Sequence, residues 1–133
     1  MTYYPVGIPT LCRYEHFRRC VESLRNNTHA NKTELVVGLD YPPSDKYKDG
    51  YEKISKYVDT IDGFAKVTVF RHKENLGAVG NWAYVQNYIF QNYDAAIMSE
   101  DDNEFAPCFL EYMDRCLEKY ADDEGDPGSY SPC

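Results

Sequence analysis

The stretch Glu34-Leu35-Val36-Val37-Gly38-Leu39-Asp40-Tyr41-Pro42-Pro43 decides how the rest of the chain reads. Residues 34–39 form a short, β-branched apolar run without polar alternation, the pattern of a strand buried on both faces. An acid follows it at once, and Pro42-Pro43 forbids a regular helix directly afterwards. Strands buried in this way belong to parallel sheets, whose neighbours are reached through crossovers that are usually helices.

The sequence supplies those crossovers in both directions. Upstream, Val6-Gly7-Ile8 reads as a first strand, stopped by Pro9. Phe17, Cys20, Val21 and Leu24 then place one apolar face on a helix over 15–25, which the polar residues 26–32 end. Downstream, Ser44 is placed to cap a second helix carrying Tyr47, Tyr51, Ile54, Val58 and Ile61, broken at Asp62-Gly63. Residues 65–71, with Val67 and Val69 inside, make a third strand. Asn75-Leu76-Gly77 is a turn before a third helix, with Val79, Trp82, Ala83, Ile89 and Phe90 as candidate core positions. Ala95-Ala96-Ile97-Met98 is a fourth, short strand. Pro107 suits the first turn of a fourth helix, striped by Phe109, Leu110, Met113, Leu117 and Tyr120.

The resulting βαβαβαβα alternation predicts an α/β fold of three layers: a mostly parallel, twisted, Rossmann-like sheet with helices on both faces. The first strand is expected inside the sheet, with the topological switch point beside it. One domain is expected over residues 1–120. Residues 121–133 are acidic, contain Gly and Pro, and show no periodicity, so they read as a tail or a severed linker.

Composition narrows the function. The chain has 133 residues, 43% hydrophobic and 27% charged, which is ordinary for one globular domain. Its net charge of −8 argues against a nucleic-acid surface, because phosphate backbones need a basic face. An acidic chain still binds a nucleotide when a metal ion sits between carboxylates and phosphates. No apolar run approaches a membrane span, and residues 1–5 lack the basic start and apolar core of a signal peptide. Five cysteines without a Cys-x-x-Cys pair fit a reducing setting, so the expected location is cytoplasmic.

Ligands of open parallel sheets bind beyond the carboxyl ends of the strands. Thr10, Cys12 and Arg13 follow the first strand and Asp40 the second. Arg71, His72, Lys73 and then Asn75 follow the third, and Ser99, Glu100, Asp101 and Asp102 the fourth. A parallel sheet gathers all of these on one edge. The carboxylate run is the sharpest feature, since closely packed acids repel and a divalent cation relieves the repulsion. A hard cation such as Mg²⁺ or Mn²⁺ prefers oxygen ligands and shares them with substrate phosphates. The competing reading makes the same acids a cap for the fourth helix.

Residues 5–13, Val36 to Asp40, Asn75-Leu76-Gly77 and Glu100-Asp101-Asp102 together resemble the donor-binding half of a GT-A-fold glycosyltransferase. The Asn-Leu-Gly turn with the following Asn81 is similar to the family-2 group of these enzymes. The run from Glu100 through Phe109, with Ala106-Pro107 inside it, resembles N-acetylglucosaminyltransferase I, as does the Arg71-His72 pair. The resemblance implies transfer of a sugar from a nucleotide-diphosphate sugar, uridine-linked, to a glycan or other acceptor, assisted by Mn²⁺ or Mg²⁺. It implies that Asp102 holds the metal as part of a DXD-like motif, with Asp101 and Glu100 near the ribose or sugar. It assigns Thr10, Arg13, Asp40, His72 and Asn75 to the nucleotide. Members of the family continue into an acceptor-binding half that supplies the catalytic base, so no base is expected within this chain. The alternative is a non-catalytic nucleotide- or metal-binding module or partner subunit. A nucleotidyltransferase fits poorly, because residues 7–11 make no Gly-rich basic phosphate loop.

Overall fold

The computed structural model describes residues 2–122. Four strands, β1 (Val6–Thr10), β2 (Glu34–Leu39), β3 (Lys66–Arg71) and β4 (Ile97–Met98), alternate with four helices, α1 (Tyr14–Arg25), α2 (Lys48–Tyr57), α3 (Gly77–Phe90) and α4 (Phe109–Asp122). The sheet order is β3-β2-β1-β4, and every pairing is parallel. The chain therefore winds outward from β1 to β3 and returns across β1 to lay down β4. β1 is interior, and the switch point lies between β1 and β4, as expected.

The buried strand β2 has all six residues enclosed. Leu35, Val37 and Leu39 face one layer, where Phe17, Leu24, Ile54 and Leu110 bring in α1, α2 and α4. Val36 faces the other layer, packed against Val85 and Ile89 of α3. Period-two alternation within one apolar run thus feeds two cores. Glycines let α3 approach the sheet: a Cβ on Gly7 would stand 2.6 Å from Val85 Cγ1 and 2.7 Å from Met98 Sδ. One on Gly38 would stand 2.5 Å from Val85 Cγ2.

Three expectations need correction. First, β1 continues through Pro9 to Thr10. Pro5 and Gly7 direct their carbonyls to β4, at Ile97 and Ser99, whereas Thr10 directs its carbonyl to Asp40. By the same alternation Pro9 faces the β4 side, and β4 ends at Met98, so no ladder donor is lost there. Second, α3 buries the expected Ile89 but joins it with Asn81 and Val85, while Trp82 is half-buried and Ala83 is exposed. Val79 is 84% and Phe90 49% exposed. Apolar residues lie on opposite sides of this helix, so composition could not orient it. Third, the Ser44 side chain caps nothing; a 3₁₀ turn, Asp45–Tyr47, intervenes before α2 begins. Ile54 and Val58 are nevertheless buried, with Tyr51 and Ile61 packed beside them.

In α4, Phe109 and Leu110 are buried, with Met113 and Leu117 packed against them. Asp114, which no apolar pattern marks, is also fully buried. It accepts from the Tyr4 backbone N–H at 3.0 Å and lies 3.3 Å from His29 Nδ1. Burial pushes its pKa up, against the lowering pull of those two partners. The Tyr120 side chain and the expected tail beyond Asp122 lie outside what the structure describes.

Candidate active site

A cleft of about 430 Å³ opens at the carboxyl edge of the sheet, on the switch-point side. The end of β1 supplies Thr10, Cys12 and Arg13, the end of β2 supplies Asp40, and the segment after β4 supplies Glu100, Asp101 and Asp102. Ala78, Asn81 and Trp82 of α3 close the opposite wall. The sheet alone brings these groups together across the sequence, because parallel strands present all their carboxyl ends on one side.

The three acids differ in environment. Asp101 is locked: Thr10 Oγ1 donates to its Oδ2 at 2.9 Å, Arg13 Nη2 donates to its Oδ1, and its side chain is only 8% exposed. Asp102 is the open one, 37% exposed, with Arg13 Nη1 3.5 Å from its Oδ2. Burial alone would lower the Arg13 pKa, but Asp101, then Asp102 and Glu100, outweigh it and raise it. Glu100 turns its carbonyl inward, where Ser99 Oγ donates at 2.8 Å and Cys20 Sγ approaches to 3.8 Å. The Cys20 thiol is pushed up to about 12, by burial first and then by the charges of Asp101 and Asp102. The helix-cap reading of the acids fails, because α4 begins only at Phe109, beyond the reach of Asp102.

Asp40 is 4% exposed and ties the end of β2 to the turn that starts α3. Its Oδ1 accepts from the backbone N–H of Tyr41 at 2.9 Å and of Leu76 at 2.8 Å. Asn75 Nδ2 donates to Asp40 Oδ2 at 3.3 Å and to the Tyr41 carbonyl at 2.7 Å. Gly77 completes this turn with φ of +77°, a conformation that costs glycine little.

His72 stands behind the cleft. Its Nε2 lies 2.8 Å from Asn81 Oδ1, and its ring packs edge-on against Tyr84. Asn81 Nδ2 donates to the Gly38 carbonyl at 2.8 Å and to the Thr10 carbonyl at 3.5 Å. Two carbonyls on one side force the amide orientation, so Oδ1 is the acceptor and His72 Nε2 carries the proton. Arg71 turns away altogether, to Ser55 and Asp59 beside α2.

Of the site residues expected from sequence, Thr10, Arg13, Asp40, Glu100, Asp101 and Asp102 line one cleft. Asn75 and His72 form a supporting layer, reaching it through Asp40 and Asn81. Sequence reasoning gave Asn81 no role and overlooked Trp82 as a cleft wall. A polar residue at four-residue spacing ahead of Val85 and Ile89 was the available signal for Asn81.

Among the described residues no group of three or more His, Cys, Asp or Glu side chains is placed to hold a metal ion. One open carboxylate, beside one already neutralised by Arg13, suits only a hard cation that takes its other oxygens from water and a diphosphate. The donor set fits Mg²⁺ or Mn²⁺ on those terms.

A parallel α/β sheet with an acid-lined cleft at its switch point is a fold of the Rossmann-like, GT-A-like kind. The chain belongs to glycosyl transferase family 2, whose model, described as "Glycosyl transferase family 2", matches residues 6–124. Two solved structures share the fold. The crystal structure of S. aureus TarS superposes with a TM-score of 0.63 at 16% identity, over 98% of this chain and 23% of that one. That of S. aureus TarS 1-349 gives 0.57 at 14% identity, over 99% of this chain and 39% of that one. The chain thus spans well under half the length of either. No curated protein matches it in sequence. No described helix is long and apolar enough to cross a membrane.

Proposed function

We propose that the cleft binds the diphosphate of a uridine-linked sugar donor beside Asp102, with a Mn²⁺ or Mg²⁺ ion between them, for transfer to a glycan or other acceptor. The observation that carries this reading is the convergence of Arg13, Asp101 and Asp102 at the switch point of the sheet. The resemblance of residues 100–109 to N-acetylglucosaminyltransferase I supports uridine as the base. When bound, the ion would act as a Lewis acid on the leaving diphosphate. Asp102 would hold it, Asp101 would keep the β1–α1 loop docked on the segment after β4, and Arg13 would add positive charge beside the phosphates. Asp40 and Trp82 would flank the nucleoside, with Asn75 and His72 steadying them from behind. We assign no general base within this chain. Cys12, Cys20 and Cys116 are free but Cys108 is disulfide-bonded, so the cysteines lend no support to the cytoplasmic setting expected from their pattern.

Asp102→Asn tests the metal. It keeps the shape and one oxygen but removes the charge that holds a hard cation. Calorimetric titration of UDP with Mn²⁺, and then with EDTA, is expected to show metal-dependent binding in the parent and little in the variant. Equal affinity in both, with metal present, would refute the assignment. Release of UDP from UDP-sugars over a panel of acceptors separates a transferase from the alternative, a non-catalytic nucleotide module.

A further inference from the structure

We propose that Arg13 is the resident counter-ion of the Asp101–Asp102 pair, released when a divalent cation arrives and thereby freed to grip the diphosphate. The inference rests on the donor-site reading above and adds a built-in competition to it. Both terminal nitrogens of the guanidinium end on the acids that a cation would approach, Nη2 at Asp101 and Nη1 at Asp102. The contact is one-sided in mobility. Asp101 is nearly buried and its second oxygen is held by Thr10, so it is fixed. The Arg13 side chain is 51% exposed, so it is the partner able to leave.

The loop beneath Arg13 is fixed as well. The Cys12 carbonyl lies hard against Gly50 of α2, so close that a Cβ there would stand 2.8 Å from the carbonyl carbon. Re-aiming Arg13 is therefore a rotation of its side chain and not a movement of the backbone. Among the described residues lining the cleft, Arg13 is the one cationic side chain, against four carboxylates: Asp40, Glu100, Asp101 and Asp102. A diphosphate entering without a cation meets net negative charge. With a cation on the acids, the displaced guanidinium matches phosphate oxygens through its planar fork.

The competition predicts opposite signs for two binding constants. Calorimetry on the parent and on Arg13→Gln, at about 0.5 M salt so that distant charges are screened, reads both. Mn²⁺ alone is expected to bind Arg13→Gln roughly two- to fivefold more tightly, the scale of a half-exposed ion pair. UDP with saturating Mn²⁺ is expected to bind it roughly tenfold more weakly, the scale of a lost charge-assisted hydrogen bond. Arg13→Lys, with one ammonium in place of the fork, should show both shifts at smaller size. Arg71→Gln removes the same charge outside the cleft and should show neither.

Unchanged or weaker Mn²⁺ affinity in Arg13→Gln, while the parent still binds UDP with Mn²⁺, would overturn this inference and leave the donor site standing. Tighter Mn²⁺ with undiminished UDP binding would also overturn it, since Arg13 would then not reach the diphosphate. A parent that binds no UDP with Mn²⁺ present would sink the donor-site reading, and this inference with it.

Discussion

Gly50→Ala sets two physical effects against each other. Gly50 is the third residue of α2, with a backbone that alanine adopts freely, and Ala is worth about 1 kcal/mol over Gly inside a helix. Helix propensity alone therefore predicts a more stable protein. The structure predicts the reverse. A Cβ at Gly50 would stand 2.8 Å from the Cys12 carbonyl carbon, 3.0 Å from the Cys12 Cβ, and nearer still to the carbonyl oxygen. Real Cβ atoms essentially never come under 3.0 Å. The obstructing atoms are mainly backbone, and they belong to a loop pinned at Thr10 by Asp101. Overpacking of this sort costs about 1–3 kcal/mol, and an obstacle unable to rotate aside puts it near the upper end. The net expectation is a loss of about 2 kcal/mol, or a fall in Tm of roughly 6–10 °C for a domain of this size. Thermal melts followed by circular dichroism, with urea titration as a second route, measure it. The displaced Cys12 also carries Arg13 away from the acids, so UDP binding with Mn²⁺ should weaken in parallel. A Tm equal to or above the parent's would show that propensity outweighs the contact, and that the loop is not held as described.

Asn81→Leu keeps the branching at Cγ, in a larger side chain, but removes the donors from the Gly38 and Thr10 carbonyls and the acceptor from His72. Buried groups left without partners cost about 1–3 kcal/mol each, so a loss of about 3 kcal/mol is expected in urea denaturation, and a loss below about 1 kcal/mol would contradict the hub role. Asp114 gives a pH signature. Its folded pKa is raised by burial, so its contribution is fully present below the unfolded value of 3.8 and is lost as pH rises through the folded value. Asp114→Asn keeps an acceptor for the Tyr4 N–H without the charge. Its stability relative to the parent should therefore improve as pH is raised from about 4 toward about 7, the span above the ordinary aspartate range. Parallel stability curves over that span would refute it.

The local pattern of this chain is enough for its elements, and their order is enough for the layout of the sheet. The four apolar positions of α1, the buried run of β2 and the βα alternation are short-range signals, set by helical spacing and by the need to cover both faces of a parallel sheet. Because such a sheet puts every carboxyl end on one edge, the residues following each strand are also readable as a common site. Tertiary contacts decide what each of those residues then does. Asp101 and Asp102 are neighbours in sequence and equal in chemistry. Asp101 is buried because Thr10 and Arg13, 91 and 88 positions upstream, close over it, while Asp102 remains open. His72 follows its strand into the expected place, yet Asn81 takes its ring nitrogen, and Arg71 next to it is drawn off by Asp59. The face that α3 buries was undetermined for a related reason. Leu76, Val79, Ala83 and Phe90 make a stripe as apolar as the opposite one, and only Gly7 and Gly38, small enough to admit Val85, fix which side meets the sheet. Periodicity records how a residue sits in its own element, whereas the partner that arrives across the fold is fixed by packing.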